Sequence, residues 1–162
     1  MTLALYRIDD RLIHGQVVVG WGQPLDIGFI VLVDDNVAAS DWEQELYRMG
    51  VPVEMDLYFH DVPGALEALG RYRADRRPGM LVTGDIATMQ RLVDADPAIR
   101  AVNLGGIHHK AGRTQRMRYV YLSDDEADAL RRMSTGGVTI TAQDVPTARP
   151  VPLHDVLSGA TL

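Results

Sequence analysis

The chain contains no cysteine among its 162 residues, so disulfide bonds and thiolate chemistry are excluded. It also lacks an apolar run of about 18 residues, the length that a membrane-spanning helix requires. Its opening residues show no basic segment followed by a long apolar stretch, so we predict no signal peptide. These absences favour a cytoplasmic location for the protein.

Positive charge is scarce and comes almost entirely from arginine. Lys110 is the only lysine beside fifteen arginines, and the net charge is −6. A nucleic-acid partner would require a basic face, so the composition argues against one. Hydrophobic residues make up 46% of the chain and charged residues 23%, which is ordinary for a globular protein. At this length we predict one domain over residues 1–162.

Short apolar runs alternate with helical patterns along the chain, as expected for βαβ units around a parallel sheet. The uninterrupted run Ile27–Val33 is typical of a strand covered on both faces. Seven strands are predicted, at residues 3–8, 27–33, 53–59, 79–83, 99–104, 118–122 and 138–142. Helices are predicted at residues 15–21, 40–49, 62–72, 86–93, 123–133 and 153–157. The expected fold class is therefore α/β, with a single-domain, doubly wound, mainly parallel sheet of about seven strands and helices on both faces.

The most informative segment for function is residues 7–16, which read RIDDRLIHGQ. It falls on the predicted turn between the first strand and the first helix. A helix N-terminus offers unpaired N–H donors and the positive end of its dipole, both of which favour a phosphoryl group. Arg11 adds a planar cation that fits phosphate oxygens, and Gly15 lets the backbone approach closely. His14 supplies a nitrogen nucleophile, so we interpret it as a histidine that becomes phosphorylated.

The same segment resembles the signature of the IIB components of the mannose/fructose/sorbose family of the bacterial sugar phosphotransferase system. The likeness extends over essentially the whole chain, with a second matching segment, VNLGGI, at residues 102–107 and then GRTQ at residues 112–115. The resemblance implies that a IIA phosphocarrier protein presents a phosphohistidine to His14. It implies that the phosphate resides on Nδ1 of His14 and then passes to a sugar held by membrane IIC/IID subunits.

The resemblance also carries expectations about cofactors, assembly and place in the cell. It implies that no metal or nucleotide is needed for the transfer between the proteins, and that a homodimer is an open alternative to a monomer. The domain is expected to be cytoplasmic, or peripheral at the inner face of the membrane through IIC/IID. The sugar remains unnamed, because specificity belongs largely to those subunits.

Further phosphate-site residues are expected where strands end. In doubly wound sheets the carboxyl ends of the strands form the ligand site, so the turn at residues 9–14 should meet Thr83-Gly84 and the Gly-Gly turn at residues 105–106. Thr83 and Gly84 are expected to bind phosphate through a hydroxyl and an amide. Asp9 and Asp10 are expected to cap amides of the first turn, and we group Asp10 with the phosphate site because it could orient Arg11 or His14.

The loop after the fifth predicted strand supplies candidate docking residues for the donor protein. They are His109, Arg113 and Arg116, which lie in a glycine-bearing stretch suited to meeting an anionic partner. No metal site is predicted there, because the adjacent His108 and His109 would point opposite ways in extended backbone and no ligand motif accompanies them.

Two other functions stay open at this point. The first is an orphan regulatory IIB domain that accepts phosphate without feeding a transporter. The second is a small-molecule-binding α/β domain or hydrolase that uses the same pocket without a covalent intermediate.

Overall fold

A computed structural model describes residues 3–161 of the chain. The strands are β1 (Leu3–Ile8), β2 (Phe29–Val33), β3 (Asp56–His60), β4 (Gly79–Thr83), β5 (Ala101–Leu104), β6 (Thr114–Met117), β7 (Val120–Leu122), β8 (Thr139–Ala142) and β9 (Val151–Pro152). The α-helices are α1 (Asp35–Ala38), α2 (Asp41–Arg48), α3 (Val62–Ala74), α4 (Ile86–Ala95), α5 (Asp124–Thr135) and α6 (Leu153–Ser158). Residues Gln16–Trp21 form a π-helix.

The main sheet has seven strands in the order β3-β2-β4-β1-β5-β8-β9. Its pairs are parallel except for β9, which runs antiparallel to β8. The expected α/β fold with a mainly parallel sheet of about seven strands is confirmed. One member differs from expectation: the predicted strand at residues 118–122 pairs with β6 in a separate antiparallel hairpin, and β9 takes the seventh place in the sheet.

Helices cover both faces of the sheet, as the continuous apolar runs of its central strands predict. On one face α3 to α6 pack against the strands, with Leu69, Met89 and Leu130 fully or almost fully buried. On the other face the π-helix and α1 contribute Val17 and Val37 to a second cluster. The buried strand residues are divided between these two clusters, so the sheet is the middle of three layers.

The structure differs from two local expectations, one for the third strand and one for the first helix. The predicted strand at residues 53–59 begins only at Asp56, because Pro52–Met55 form a turn closed by a 3.0 Å hydrogen bond from Met55 N–H to Pro52 O. The first helix has the wider π-helical winding and spans only six residues. A dipole summed over so short a helix is small, so the loop amides rather than the helix dipole are the relevant donors.

No helix in the part of the chain that the structure describes combines the length and apolar character needed to cross a membrane.

Candidate phosphoryl-transfer site

Three turns meet at the carboxyl edge of the sheet, because β4, β1 and β5 are neighbours. Backbone hydrogen bonds join them: Asp9 N–H donates to Thr83 O at 2.9 Å, and Asp10 N–H donates to Gly106 O at 2.9 Å. Gly105 N–H completes the set by donating to Ile8 O at 2.7 Å. The convergence that the sequence predicted at residues 9–14, 83–84 and 105–106 is therefore confirmed.

The turn that presents His14 contains Leu12, whose φ of 57° lies in the left-handed region. That region is unfavourable for a residue with a side chain, so the surrounding structure must hold Leu12 there. Its side chain is 6% exposed within the second core cluster, and its N–H donates to Asp9 O at 2.9 Å. A Cβ on Gly84 would lie 3.3 Å from Leu12 Cδ2, so the predicted phosphate residue Gly84 gives Leu12 room to pack.

His14 itself is largely enclosed, with its side chain 15% exposed. Its Nε2 atom lies 3.2 Å from Oδ1 of Asp9, yet that nitrogen is buried and makes no well-aligned hydrogen bond among the described residues. The contact is thus a close approach of a ring nitrogen to a carboxylate. Because Nε2 faces Asp9, Nδ1 is the ring nitrogen left for another partner.

Asp9 is fixed from behind by a fully buried arginine. Asp9 and Arg7 are both 0% exposed, and their closest side-chain atoms, Oδ2 and Nη2, are 3.2 Å apart. Arg7 also donates to the side-chain oxygen of Asn103, to Gln143 O at 2.8 Å and to Asp144 O at 3.2 Å. These bonds satisfy most of the donors that a buried guanidinium carries, so the Asp9 carboxylate is held at one position.

Electrostatics keep Asp9 ionised in spite of its burial. Burial raises the pKa of the Asp9 carboxyl, but His14, the Arg7 cation and the Arg11 amide together lower it by more than burial raises it. The net pKa therefore lies below its usual value. Burial lowers the pKa of the Arg7 guanidinium, and Asp9 opposes that shift. The carboxylate beside His14 is therefore negatively charged at neutral pH.

Arg11 and Gly15 form the open side of the site. The Arg11 side chain is 46% exposed, and its Nη2 donates to Gln16 Oε1 at 2.8 Å. The Arg11 N–H is used within the turn, where it donates to Asp9 Oδ1 at 3.2 Å. Gly15 is exposed, and a Cβ placed on it would meet no atom within 4 Å. An exposed cation and an exposed glycine thus lie beside His14 in the chain.

Thr83 lies on the other side of the sheet from His14. It pairs in register with Ile8 and Val33, both of which belong to the cluster under α3 to α6, and alternation along β4 puts its side chain on that face. Its hydroxyl is buried and has no partner among the described residues. Thr83 joins the site through its carbonyl, which holds Asp9, and the geometry does not give its hydroxyl the expected phosphate contact.

Asp10 is engaged away from His14. Its Oδ1 lies 2.6 Å from Nδ1 of His108, and its Oδ2 accepts the His108 N–H at 2.7 Å. Both carboxylate oxygens therefore bind the neighbouring loop, and the carboxylate that approaches His14 is Asp9. The expected orientation of Arg11 or His14 by Asp10 is corrected accordingly.

The predicted docking residues divide into one exposed side chain and two enclosed ones. Arg113 is 13% exposed and forms two hydrogen bonds to the Glu126 carboxylate, at 2.9 and 2.7 Å. Arg116 is 15% exposed and donates to Leu157 O at 3.2 Å. His109 is exposed and packs edge-on against Tyr121. The two arginines therefore brace the fold, and of the three only His109 offers itself to a partner.

The sequence contains a signal for the network that supports Asp9. Arg7 and Asn103 interrupt otherwise apolar strands, and they are register partners in β1 and β5. Arg7 and Asp9 are two residues apart, so they share one face of their strand. Polar residues at such matched positions in buried strands indicate a buried polar network.

Residues 3–161 contain no group of three or more histidine, aspartate or glutamate side chains placed to hold a metal ion.

Comparison with known proteins places this chain in a family. The sequence model of the family described as PTS system sorbose subfamily IIB component matches residues 3–162. The N-acetylgalactosamine-specific phosphotransferase enzyme IIB component 1 of Escherichia coli K12 is 33% identical over 148 residues, covering 90% of this chain and 92% of the relative. The mannose-specific EIIAB component of the same strain is 28% identical over 158 residues, which are 98% of this chain but 49% of that longer protein.

A solved structure supports the fold independently. The IIBSor domain of the sorbose permease from Klebsiella pneumoniae superposes with a TM-score of 0.89, covering 100% of this chain and 99% of that one. At 23% identity this likeness shows the fold alone.

Proposed function

The chain belongs to the sorbose subfamily of phosphotransferase-system IIB components, and from that membership we propose that His14 is the residue that carries the phosphoryl group. As a IIB component the protein is a phosphotransferase of sugar uptake. IIB components of this family work with a IIA protein and with membrane IIC/IID subunits. The observation that supports His14 is its position against the buried Asp9 carboxylate, at the edge where three strands end.

A nitrogen is the nucleophile that this chain can offer in place of a thiolate. The sequence has no cysteine, so a phosphocysteine is excluded. His14 is partly exposed, with Arg11 beside it on the open side of the site. A phosphoryl group bound there would gain the charge stabilisation on which phosphoryl transfer mainly depends.

Asp9 favours one tautomer of the imidazole. Its carboxylate is an acceptor, so it stabilises a proton on Nε2, which leaves the lone pair of neutral His14 on Nδ1. When Nδ1 bonds to phosphorus, the ring retains the proton on Nε2 and gains positive charge. The ionised Asp9 at 3.2 Å then stabilises that charge, as a carboxylate does behind a catalytic histidine.

The proposed first step is an in-line exchange between two imidazoles. Nδ1 of His14 attacks the phosphorus of the phosphohistidine on the IIA donor, the new N–P bond forms, and the donor N–P bond breaks. The donor histidine keeps the electron pair of that bond. Arg11 moves from Gln16 to the equatorial oxygens, and the exposed backbone at Gly15 approaches them without a side chain between. Because both groups are imidazoles, the step is close to thermoneutral.

The second step passes the phosphoryl group to a sugar at the membrane subunits. A carrier loop at the edge of the sheet fits this role, since one histidine must meet two partners in turn. We place the chain on the cytoplasmic side, where the phosphorylated donor and the inner face of IIC/IID are both within reach.

Labelling with radioactive phosphoenolpyruvate, enzyme I, HPr and a matching IIA protein tests the proposal. The wild-type chain is expected to gain an acid-labile label, and His14→Ala is expected to lose it. His154→Ala, which removes an exposed histidine of α6, is the matched control and should label normally. Nitrogen-15 NMR of the phosphorylated chain identifies the bonded ring nitrogen, which we expect to be Nδ1. Equal labelling of His14→Ala would overturn the proposal.

A further inference from the structure

Helix α2 exposes an apolar stripe to solvent, while Tyr47 packs inward against the second core cluster. Trp42, Leu46 and Met49 follow the spacing i, i+4, i+7, so they form one stripe along the helix, and they are 70%, 55% and 83% exposed. No residue of α2 is buried. The helix is attached on its other side by Gln44, which donates to Val37 O at 3.1 Å and to Ala38 O at 3.2 Å.

A further exposed apolar residue follows the end of the helix. Val53, in the turn before β3, is 100% exposed. Val53 and Arg48 line a shallow cavity of about 300 Å³ together with Pro52 and Met55. Large apolar side chains exposed close together in the chain mark a candidate site of interaction. We call Trp42, Leu46, Met49 and Val53 the α2 patch.

The α2 patch borders the phosphoryl-transfer loop. A Cβ on Gly50 would lie 3.8 Å from Cγ2 of Ile13, the residue before His14. From Met49 the stripe extends about 10 Å back to Trp42 at the helical rise per residue. A protein interface buries about 800 Å² per partner, which is a disc of roughly 16 Å radius. A partner that docks over His14 and extends past Gly50 therefore reaches the α2 patch as well.

The charge around the α2 patch selects the partner. Residues 41–54 carry four carboxylates and one arginine, Arg48, and that arginine is already paired with Glu45 at 2.7 Å. This short segment supplies half of the net charge of −6. A complementary partner must combine apolar side chains with a basic surface.

We propose that the α2 patch docks the chain on the basic cytoplasmic loops of the membrane IIC/IID subunits while the phosphoryl group passes to the sugar. Cytoplasmic loops of membrane proteins carry an excess of lysine and arginine, which matches the acidic rim. The lipid surface itself is negatively charged on that side and repels the rim, so the partner is protein. The proposal rests on the proposed function, since it presumes that His14 holds the phosphoryl group to be delivered.

Two half-reactions separate this proposal from the function on which it rests. The variant Trp42→Gln/Leu46→Gln/Met49→Gln keeps good helix formers at three exposed positions, so its fold should be retained. Labelling from the phosphorylated IIA protein should change less than about twofold. Transfer from the labelled chain to sugar, in inverted vesicles with the IIC/IID subunits of its transporter, should need at least about tenfold more protein for half-maximal rate, because a tryptophan anchor such as Trp42 carries a large share of the binding energy at an interface. The maximal rate should stay the same.

A charge pair supplies the matched control. Asp41 and Asp125 are both exposed acids in the first turn of a helix, but only Asp41 lies on the rim of the α2 patch. Asp41→Lys should weaken transfer to sugar several-fold, whereas Asp125→Lys should not. Co-sedimentation with IIC/IID vesicles and with lipid-only vesicles measures docking even if labelling fails, and the wild type should bind only the former.

Three results would overturn the proposal. One is an equal loss in labelling by the IIA protein, which would make the patch a donor surface. Another is an unchanged transfer to sugar in the triple variant. The third is equal binding of the wild type to lipid-only vesicles, which would make the partner a lipid surface. A wild type that takes no label, or a His14→Ala chain that does, would instead count against the proposed function.

Discussion

The loops after β1 and β5 leave the same edge of the sheet side by side, and both contain arginine, histidine and glycine. Each loop is braced by one enclosed arginine–carboxylate pair: Arg7–Asp9 under the first, with both side chains 0% exposed, and Arg113–Glu126 under the second, at 13% and 21%. The first loop has a second arginine, Arg11, which is 46% exposed. The second loop also carries an exposed cation, Lys110, so the first loop differs in combining its exposed arginine with a histidine that lies against a fully buried carboxylate.

The largest expected effect comes from a change in the more deeply buried pair, Arg7–Asp9. Arg7→Met removes a fully buried cation and leaves the Asp9 carboxylate unpaired, so we expect the free energy of unfolding to fall by about 3–5 kcal/mol. Urea unfolding measures this change. The double variant Arg7→Met/Asp9→Asn removes both charges and should recover part of the loss. A single variant as stable as the wild type would show that the first loop does not depend on its brace.

The arginines of the two loops should give opposite results when each is removed. Arg113→Ala breaks two hydrogen bonds to Glu126 and one to His108 O, so we expect a loss of about 1.5–3 kcal/mol in unfolding free energy. Phosphorylation by the IIA protein should stay within about threefold. Arg11→Ala should leave stability within about 0.5 kcal/mol and slow phosphorylation at least tenfold.

Urea unfolding and the rate of labelling, measured on both variants, test this crossed expectation. A loss of rate in Arg113→Ala at full stability would make the second loop part of the transfer site. An unchanged rate in Arg11→Ala would remove Arg11 from the mechanism.

The sequence predicted the place of the β1 loop well because its information is local, although the carboxylate beside His14 is Asp9 and not Asp10. The order of residues 7–16 fixes a turn, and the strand pattern fixes the edge on which that turn lies. The role of Arg113 depends on Glu126, a residue of α5 that meets it only through the fold. Likewise Thr83 ends a correctly predicted strand, but the face that its hydroxyl takes depends on the register with Ile8 and Val33. Side-chain partners across elements were therefore the part that local pattern could not supply.

Acid should weaken both arginine–carboxylate pairs, with a smaller effect on the unfolding free energy than the substitutions of Arg7 and Arg113. Burial raises the pKa of Asp9, but His14 and Arg7 lower it by more, so its net pKa lies below the usual value. Burial also raises the pKa of Glu126, but Arg113 and the Ser123 amide lower it by more, so its net pKa is lowered as well. A carboxyl with a lowered folded pKa stabilises the fold above its unfolded pKa of about 4, and that contribution is lost as pH falls through the folded pKa. The unfolding free energy should therefore decline below about pH 5.

Asp9→Asn and Glu126→Gln test this origin of acid sensitivity. Each removes one titrating group, so each should flatten the fall of unfolding free energy between pH 5 and pH 3 relative to the wild type. Urea unfolding at several pH values measures the slope. Slopes as steep as that of the wild type in both variants would assign acid sensitivity to other carboxylates.

The glycines of the two loops differ in the space around them, and the smallest expected effect follows from that difference. A Cβ on Gly105 would lie 2.3 Å from Nη2 of Arg7, whereas a Cβ on Gly15 meets nothing within 4 Å. Gly15 has helical backbone angles, φ −54° and ψ −41°, so Gly15→Ala should raise the unfolding free energy by about 0.5–1 kcal/mol. Its methyl group would enter the open space beside His14 that the phosphoryl oxygens are proposed to use, so labelling should slow several-fold.

Gly70→Ala separates these two consequences of adding a methyl group. Gly70 is an exposed position of α3 where a Cβ also meets nothing within 4 Å, so the same gain in stability is expected there. Its labelling rate should equal that of the wild type, because α3 lies on the other face of the sheet from the π-helix and His14. If Gly15→Ala labels as fast as Gly70→Ala, the phosphoryl oxygens do not approach the backbone at Gly15. Arg11 would then be the main stabiliser of the charge in transfer.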